Sequence, residues 1–205
     1  MSDRVVLVVT EHVSRLDAAR RQVYERVRRT LHDVSGERVH SVHYSDADEL
    51  RADAVVLSGS SAPWSAHDPR ALSRLGEAVT GAEAPVLGIC AGMQLLAEWA
   101  GGEVKPLRER GEEPERGYAP LEVLDGGDLL RGLGPVATVF QDHEDEVTSV
   151  PDGFRVLART PACEVQALAA PERRWWGTQF HAECFDAERP DGSRVLANFF
   201  ELAKG

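Results

Sequence analysis

The feature that most constrains the fold is a set of short apolar runs in the first half of the chain. Three of them contain almost no polar residue: VVLVV at 5–9, AVVL at 54–57 and APVLGI at 84–89. Such runs, rich in β-branched residues, are typical of strands that are buried on both faces of a parallel sheet. A further strand, RVHSVHY, is predicted over 38–44.

Helical patterns alternate with these strands. Between the first two strands, apolar residues recur at helical spacing, namely Leu16, Ala19, Val23, Val27 and Leu31, with arginines on the opposite side. Further amphipathic helices are predicted over 69–79 and about 91–100. Strand and helix in alternation predict an α/β fold with a mostly parallel central sheet and helices on both faces.

The second half of the chain has a different pattern. Four short strand-like runs are separated by Gly, Pro and Asp: APLEVL, ATVFQ, FRVLAR and EVQALAA. They predict a mixed or antiparallel β extension, and SRVLANFFELA at 193–203 predicts a closing helix. At 205 residues the chain is expected to form a single domain over 1–205.

Composition excludes several classes of partner and compartment. A formal net charge of -11 disfavours nucleic acid and anionic membranes, because phosphate binding needs clustered lysine and arginine. No apolar stretch approaches the roughly 20 residues that span a bilayer, and the N-terminal run is too short for a signal peptide. The three cysteines show neither a Cys-x-x-Cys spacing nor a zinc pattern. We therefore expect a cytoplasmic protein without a metal or a cofactor.

A candidate nucleophile follows the third apolar run, in the segment VLGICAGMQLL at 86–96. Cys90 is predicted on a tight turn between a strand and a helix, at the sheet edge where α/β folds bind ligands. Gly88 and Gly92 flank it, as a strained nucleophile turn requires. The helix N-terminus would stabilise a thiolate there. The alternative is an inert cysteine that packs as a small hydrophobic residue.

A candidate base lies in the segment WWGTQFHAE at 175–183. As a strand, this segment would place Gln179, His181 and Glu183 on one face. The Glu183 carboxylate could then hold the His181 imidazole in one tautomer. A cysteine, a histidine and a carboxylate together form an acyl-transfer triad. His143, in QDHEDEV, is a weaker candidate, because its acidic neighbours indicate an exposed loop.

The two motifs resemble those of the class I glutamine amidotransferases. Gly88 to Gln94 matches Gly-x-Cys-x-Gly-x-Gln, and Gly177 to Glu183 matches Gly-x-Gln-Phe-His-Pro-Glu, with Ala182 in place of the proline. Within the family, the segments around Cys90 and His143 are most similar to the glutaminase unit of GMP synthetases. The resemblance covers the chain from about residue 53 onward and implies a flavodoxin-like sheet and hydrolysis of the glutamine side-chain amide.

The resemblance also implies roles for individual residues. Cys90 would attack the amide carbon, His181 would transfer the proton and Glu183 would orient His181. The loop LSGSSAP at 57–63 occupies the position of the family's oxyanion loop, although GMP synthetases have Gly-Gly-Pro where this chain has Gly59, Ser60 and Ser61. The residues assigned to substrate binding on this basis are Gly59, Ser60, Ala91, Gln94 and His143.

Three functions remain open at this point. The first is a glutaminase that takes glutamine as substrate and delivers ammonia to a separate synthetase subunit, since the chain has neither a phosphate-binding glycine loop nor room for an ATP-using domain. The second is a stand-alone γ-glutamyl hydrolase or peptidase that uses the same triad. The third is a non-catalytic interaction subunit, which the intact Cys90, His181 and Glu183 disfavour.

Overall fold

The computed structural model describes residues 5–205, so the first four residues of the predicted domain lie outside the described residues. Within 5–205 it contains eleven strands and four α-helices. The strands are β1 (Val5–Val9), β2 (Val39–His43), β3 (Ala54–Leu57), β4 (Val86–Ile89), β5 (Glu103–Pro106), β6 (Glu115–Val123), β7 (Val136–His143), β8 (Asp145–Ser149), β9 (Arg155–Arg159), β10 (Ala167–Ala170) and β11 (Trp175–Thr178). The helices are α1 (Ala18–Ser35), α2 (Pro69–Thr80), α3 (Ala91–Trp99) and α4 (Asp191–Lys204).

Nine strands form one sheet in the order β2-β1-β3-β4-β11-β10-β9-β6-β7. The first five of these run parallel, and the last four continue the sheet antiparallel. β5 and β8 form a separate two-stranded antiparallel ribbon. The predicted α/β fold, with a parallel part and an antiparallel extension, is therefore confirmed. β11 comes late in the chain but pairs in parallel with β4, which brings its end beside Cys90.

The core has two layers because successive side chains of a buried strand point to opposite faces of the sheet. On β1, Val5, Leu7 and Val9 face the cluster that contains the apolar side of α1 and α4. Val6 and Val8 face the other cluster, which contains the apolar side of α2. Both faces of the parallel strands are thus covered, which explains why their sequences are almost wholly apolar.

The first two helices begin and end at identifiable signals. The carboxylate of Asp17 accepts the backbone N–H of Arg20 at 2.8 Å and caps α1, which ends at Gly36 with a φ of 70°. Asp68 caps α2 by accepting the N–H of Arg70 at 2.9 Å. Among the helices described over 5–205, none is both long and apolar enough to cross a bilayer.

The parallel strands define the edge where the candidate residues meet. β1, β3, β4 and β11 end at the same side of the sheet, since all four point the same way. The residues that follow them are Thr10 and Glu11, the loop at 58–62, Cys90, and the segment at 179–183. Ligands of open α/β sheets bind at this carboxyl edge.

Candidate active site

Cys90 is the single residue between β4 and α3. Its φ of 51° and ψ of -110° place a non-glycine residue in a strained conformation, which costs on the order of 1–3 kcal/mol. A Cβ on Gly88 would lie 2.5 Å from the backbone of Gly92, and a Cβ on Gly92 would lie 2.4 Å from the carbonyl oxygen of Leu57. The predicted turn is therefore confirmed, and the close approach of two glycines holds the thiol at the start of α3.

His181 lies in a turn after β11 and not on the strand itself. β11 ends at Thr178, whose hydroxyl donates to the carbonyl oxygen of Phe180 at 2.8 Å and bends the chain away from the ladder. The prediction of a strand that continues through Glu183 is therefore wrong. The pairing that it predicted is nevertheless present, because Nδ1 of His181 lies 2.8 Å from Oε1 of Glu183.

Cys90 and His181 meet beside Gly59, the second residue after β3. A Cβ on Gly59 would lie 2.9 Å from Cε1 and 3.7 Å from Nε2 of His181, and 3.4 Å from Cβ of Cys90. The His181 side chain is 18% exposed, so a small molecule can reach it from solvent. The candidate nucleophile and the candidate base are thus adjacent, and a side chain at position 59 would collide with them.

The charge of this group is set by the pair formed by His181 and Glu183. Burial lowers the pKa of His181, but the Glu183 carboxylate and the hydrogen bond with Cys90 raise it more, so the pKa lies well above its ordinary value. Oε2 of Glu183 is buried and has no hydrogen-bond partner among the described residues. Because Nδ1 is paired with the Glu183 carboxylate, Nε2 is the ring nitrogen that remains to interact with Cys90.

The backbone of the loop after β3 is fixed by hydroxyl groups. The carbonyl oxygen of Gly59 accepts hydrogen bonds from Tyr24 OH at 2.9 Å and Ser58 Oγ at 2.9 Å. Thr10 Oγ1 lies 3.1 Å from the same oxygen and 2.9 Å from the Ser58 carbonyl oxygen, and its one proton is shared between them. In a trans peptide the C=O and N–H point in opposite directions, so the N–H of Ser60 points away from these hydroxyls. Within residues 5–205 this N–H donates to no protein acceptor, which leaves it available to a ligand.

Glu11, which the sequence analysis did not single out, anchors the same loop. Its fully buried carboxylate accepts the N–H and hydroxyl of Ser61 at 3.0 and 2.7 Å, the hydroxyl of Ser60 at 3.0 Å and the N–H of Ala62 at 3.1 Å. Burial raises the pKa of Glu11, but these hydrogen bonds lower it more, and the pKa lies below its ordinary value. The sequence signal that could have identified Glu11 is an acidic residue two positions after the apolar run of β1.

Two residues predicted to bind the substrate lie on α3. Ala91 is its first residue, and the N–H groups of a first helical turn have no acceptor within the helix. Gln94 is buried and uses its side chain internally: Nε2 donates to the carbonyl oxygen of Asp145 at 3.2 Å and to Oε1 of Gln179 at 3.1 Å. Oε1 of Gln94 accepts the indole N–H of Trp64 at 3.3 Å.

His143 is placed differently from the expectation. It is the last residue of β7 and is buried, so the expected exposed loop is wrong. Its Nδ1 lies 3.0 Å from the carbonyl oxygen of Asp145, and its Nε2 lies 3.1 Å from Oε2 of Glu115. Substrate contact by His143 would require one of these bonds to break. With Cys163, these two side chains form a group of metal-ligand types whose atoms lie within 4.8 Å of one another.

The fold and the site together define a class of protein. The chain belongs to the class I glutamine amidotransferase family, whose profile, Glutamine amidotransferase class-I, matches residues 17–203. The match confirms the predicted family. It also extends the resemblance to α1 and β2, where the two motifs do not reach.

Curated relatives are similar over different shares of their length. The glutamine-hydrolysing GMP synthase of Thermus thermophilus is 43% identical over 153 residues, which are 75% of this chain and 28% of that protein. A separate glutamine-hydrolysing GMP synthase subunit of Methanococcoides burtonii is 32% identical over 186 residues, which are 87% of this chain and 89% of that protein. The predicted likeness to GMP synthetase glutaminase units is confirmed, and this chain spans little more than a quarter of the Thermus relative.

Solved structures show the same fold. A Thermoplasma acidophilum protein, provisionally described as a GMP synthase subunit, has a TM-score of 0.80 at 25% identity, with 100% of this chain and 96% of that chain covered. A glutamine amidotransferase of Thermotoga maritima has a TM-score of 0.74 at 18% identity, with both chains covered in full. The latter likeness shows the fold alone.

Proposed function

We propose that this chain is a glutaminase that hydrolyses the side-chain amide of glutamine through Cys90, His181 and Glu183. The observation that carries the proposal is the meeting of Cys90 and His181 beside Gly59, in a chain of the class I amidotransferase family. His181 is paired with Glu183 at 2.8 Å, as a base that must keep one tautomer requires. Gly59, Ser60 and Ala91 would supply the surface that faces the substrate oxygen.

In the first step, the Cys90 thiolate attacks the amide carbon of glutamine and forms a carbon–sulfur bond. The carbonyl oxygen becomes an oxyanion, which the N–H groups of Ser60 and Ala91 would bind, each donor contributing about 3–4 kcal/mol in the transition state. When the carbonyl re-forms, the carbon–nitrogen bond breaks. His181 donates its Nε2 proton to the departing nitrogen, which leaves as ammonia, and a γ-glutamyl thioester remains.

In the second step, neutral His181 accepts a proton from water, and the resulting hydroxide attacks the thioester carbon. The carbon–sulfur bond breaks, glutamate leaves, and the thiolate and the imidazolium are restored. The sum is glutamine plus water to glutamate plus ammonia. Glu183 stabilises the imidazolium at both stages and keeps Nδ1 protonated, so that Nε2 alone exchanges protons with the reacting groups.

We further propose that the ammonia passes to a separate synthetase subunit that transfers it to a nucleotide. The coverage of the GMP synthase subunit from Methanococcoides burtonii, 89% of its length, supports this assignment.

Glutamate release from glutamine tests the first proposal. We expect Cys90→Ser to lower the rate by a factor on the order of 10⁴ or more, since no other group at the site can form the thioester. Cys184→Ser, the matched control on the turn that carries His181, should retain the parent rate. Equal loss in both variants, or release unaffected by Cys90→Ser, would refute the assignment of the nucleophile.

A substrate panel tests glutamine against the γ-glutamyl conjugates that the second function would use. We expect free glutamine to be turned over fastest, with a further increase when a co-purified synthetase partner is added. A strong preference for a conjugate, with no response to any partner, would replace the glutaminase by a γ-glutamyl hydrolase. Cys90→Ala serves as the inactive control in both assays.

A further inference from the structure

One buried side chain touches the sulfur of Cys90 and has no part in the steps above. Gln179, the first residue after β11, is fully buried, and its Nε2 lies 3.5 Å from Sγ of Cys90. The backbone N–H of Gln179 donates to the carbonyl oxygen of Gln166 at 2.8 Å, which fixes the main chain from which the side chain extends. The side-chain amide of Gln179 therefore contacts Sγ of Cys90 from the protein interior.

The orientation of this amide is determined by its neighbours. An indole N–H can only donate, so the atom of Gln94 that lies 3.3 Å from Trp64 Nε1 must be its oxygen. The amide nitrogen of Gln94 then faces the backbone carbonyl of Asp145 at 3.2 Å, which can only accept. The same nitrogen faces Gln179 at 3.1 Å, so the atom of Gln179 on that side is also an oxygen.

The Trp64 indole can only donate and the Asp145 carbonyl can only accept, so together they fix the orientation of the Gln94 amide. The Gln94 amide in turn fixes the orientation of the Gln179 amide. The consequence is that Gln179 turns its NH₂ group, and not its oxygen, toward Cys90.

We propose that Gln179 is a catalytic residue whose side-chain amide donates a hydrogen bond to the Cys90 sulfur, and that Trp64 and Gln94 are positioning residues that hold it in that orientation. A donor to sulfur binds the thiolate more strongly than the thiol, since hydrogen bonding to the charged form favours that form. The nucleophile would thus be stabilised by a neutral group as well as by His181 and the start of α3.

The other groups around the sulfur do not duplicate this contact. On the β7 side, the backbone carbonyl of Asp142 lies 4.0 Å from Sγ and cannot donate. The Asp142 carboxylate is paired with Arg116 at 2.8 Å. On the turn after β11, the titratable groups are His181, Glu183 and Cys184, and His181 is the one that interacts with Cys90. Within the described residues, Gln179 is therefore the neutral side-chain donor to the nucleophile.

This inference rests on Cys90 being the nucleophile of the proposed glutaminase, but its test does not require glutamine. The measurement is the rate of alkylation of Cys90 by iodoacetamide as a function of pH, followed at the Cys90 peptide by mass spectrometry. The midpoint of that profile reports when the thiolate forms. A purely structural role of Gln179 would change the melting temperature and leave the midpoint in place.

Two substitutions separate the donor from the space that it fills. Gln179→Met keeps the volume without a donor, and we expect the midpoint to rise by about one pH unit, which corresponds to about 1.4 kcal/mol. Gln179→Glu keeps the oxygen that Gln94 binds but places a second oxygen against the sulfur, so the midpoint should rise further. Gln141→Met is the matched control, because Gln141 is equally buried but donates to Gln166; its midpoint should equal that of the parent.

Trp64→Phe provides a variant outside the buried core, since Trp64 is only half-buried. Loss of the indole donor should raise the midpoint by about 0.3 unit, as expected when one bond of a hydrogen-bond chain is removed. Unchanged midpoints in folded Gln179→Met and Gln179→Glu would overturn the proposal. If those two fail to fold, an unchanged midpoint in Trp64→Phe would overturn it. If the variants show these shifts but the parent chain hydrolyses no glutamine, the proposed function is refuted and this inference remains.

Discussion

Two backbone segments at the carboxyl edge are held in place by opposite means. The turn around Cys90 is shaped by the absence of side chains. A Cβ on Gly88 or on Gly92 would lie within 2.5 Å of backbone atoms of neighbouring segments. The loop after β3 is shaped by added side chains, because Glu11 and the hydroxyls around Gly59 hold it by hydrogen bonds. The first is fixed by steric contact and the second by polar contact.

This difference determines which substitutions and which solution conditions each segment tolerates. Close packing is insensitive to pH and to ionic conditions, but it admits no larger residue. Hydrogen bonds to a buried carboxylate leave room for side chains in the loop, such as those of Ser60 and Ser61, but they depend on the charge of Glu11. The two segments should therefore fail under different substitutions and different conditions.

The largest effect is expected from filling the space at the cysteine turn. A Cβ in Gly92→Ala would lie 2.4 Å from the carbonyl oxygen of Leu57 and 2.7 Å from its Cβ, so β3 or α3 must shift. We expect the free energy of unfolding in urea to fall by about 3 kcal/mol. Gly126→Ala is the control, because nothing lies within 4 Å of its Cβ position. Equal stability of the two variants would show that the turn is not fixed by steric contact.

A smaller effect is expected from weakening the hydrogen bonds between Glu11 and the loop after β3, which we call the polar anchor. In Glu11→Gln the buried acceptor loses its charge and one of its oxygens, so donors of Ser61 and Ala62 are left without a good partner. We expect a loss of about 2 kcal/mol in unfolding free energy and a fall in glutamine hydrolysis of roughly tenfold, since the Ser60 N–H is no longer held in place.

The control for this substitution is Glu25→Gln, on the exposed side of α1, where the carboxylate pairs with Arg28 and Arg29 in solvent. Surface pairs of this kind contribute little to stability, so stability and activity should match the parent. Full activity of Glu11→Gln would mean that the hydroxyl groups alone position the loop.

The sequence could predict the cysteine turn because its causes are local. The apolar run before Cys90 and the glycines two residues to either side lie within a few consecutive positions, and the structure needs each of them where it stands. The pairing of His181 with Glu183 was predicted from strand geometry and occurs through a turn instead. A spacing of two residues allows both, so the contact was predictable and its conformation was not.

Other parts of the site depend on contacts between distant segments. Glu11 binds residues that lie some fifty positions further along the chain, and no local spacing indicates that contact. The amide of Gln179 likewise depends on Trp64 and Gln94, which come from two other segments. His143 was expected in an exposed loop because its neighbours are acidic, but Glu115 on the adjacent strand β6 binds it in the interior.

The stability that the polar anchor contributes should depend on pH, unlike the stability that comes from close packing at Gly88 and Gly92. The pKa of Glu11 is lower in the folded chain than its ordinary value, so the folded state prefers the charged form. Its contribution to stability is present above that ordinary value and is lost as the pH falls through the lower folded value. Urea unfolding of the parent and Glu11→Gln from pH 7 to pH 3 should show a difference that shrinks toward acid. A constant difference would contradict this linkage.

The smallest effect is expected from removing one hydroxyl that holds Gly59. Tyr24→Phe deletes a 2.9 Å hydrogen bond to the Gly59 carbonyl, but the Ser58 hydroxyl still donates to the same oxygen and the Thr10 hydroxyl, 3.1 Å away, can do so as well. We expect a loss of about 1 kcal/mol in unfolding free energy, the usual value for one hydrogen bond, and a reduction of kcat by a few-fold with little change in KM. Adding Thr10→Val should lower kcat by more than the product of the single effects, because the peptide is then free to rotate its N–H away from the substrate. Independent, multiplicative effects on kcat would show that the two hydroxyls do not act together on the 59–60 peptide, and that its orientation is set by steric contact, as it is at the cysteine turn.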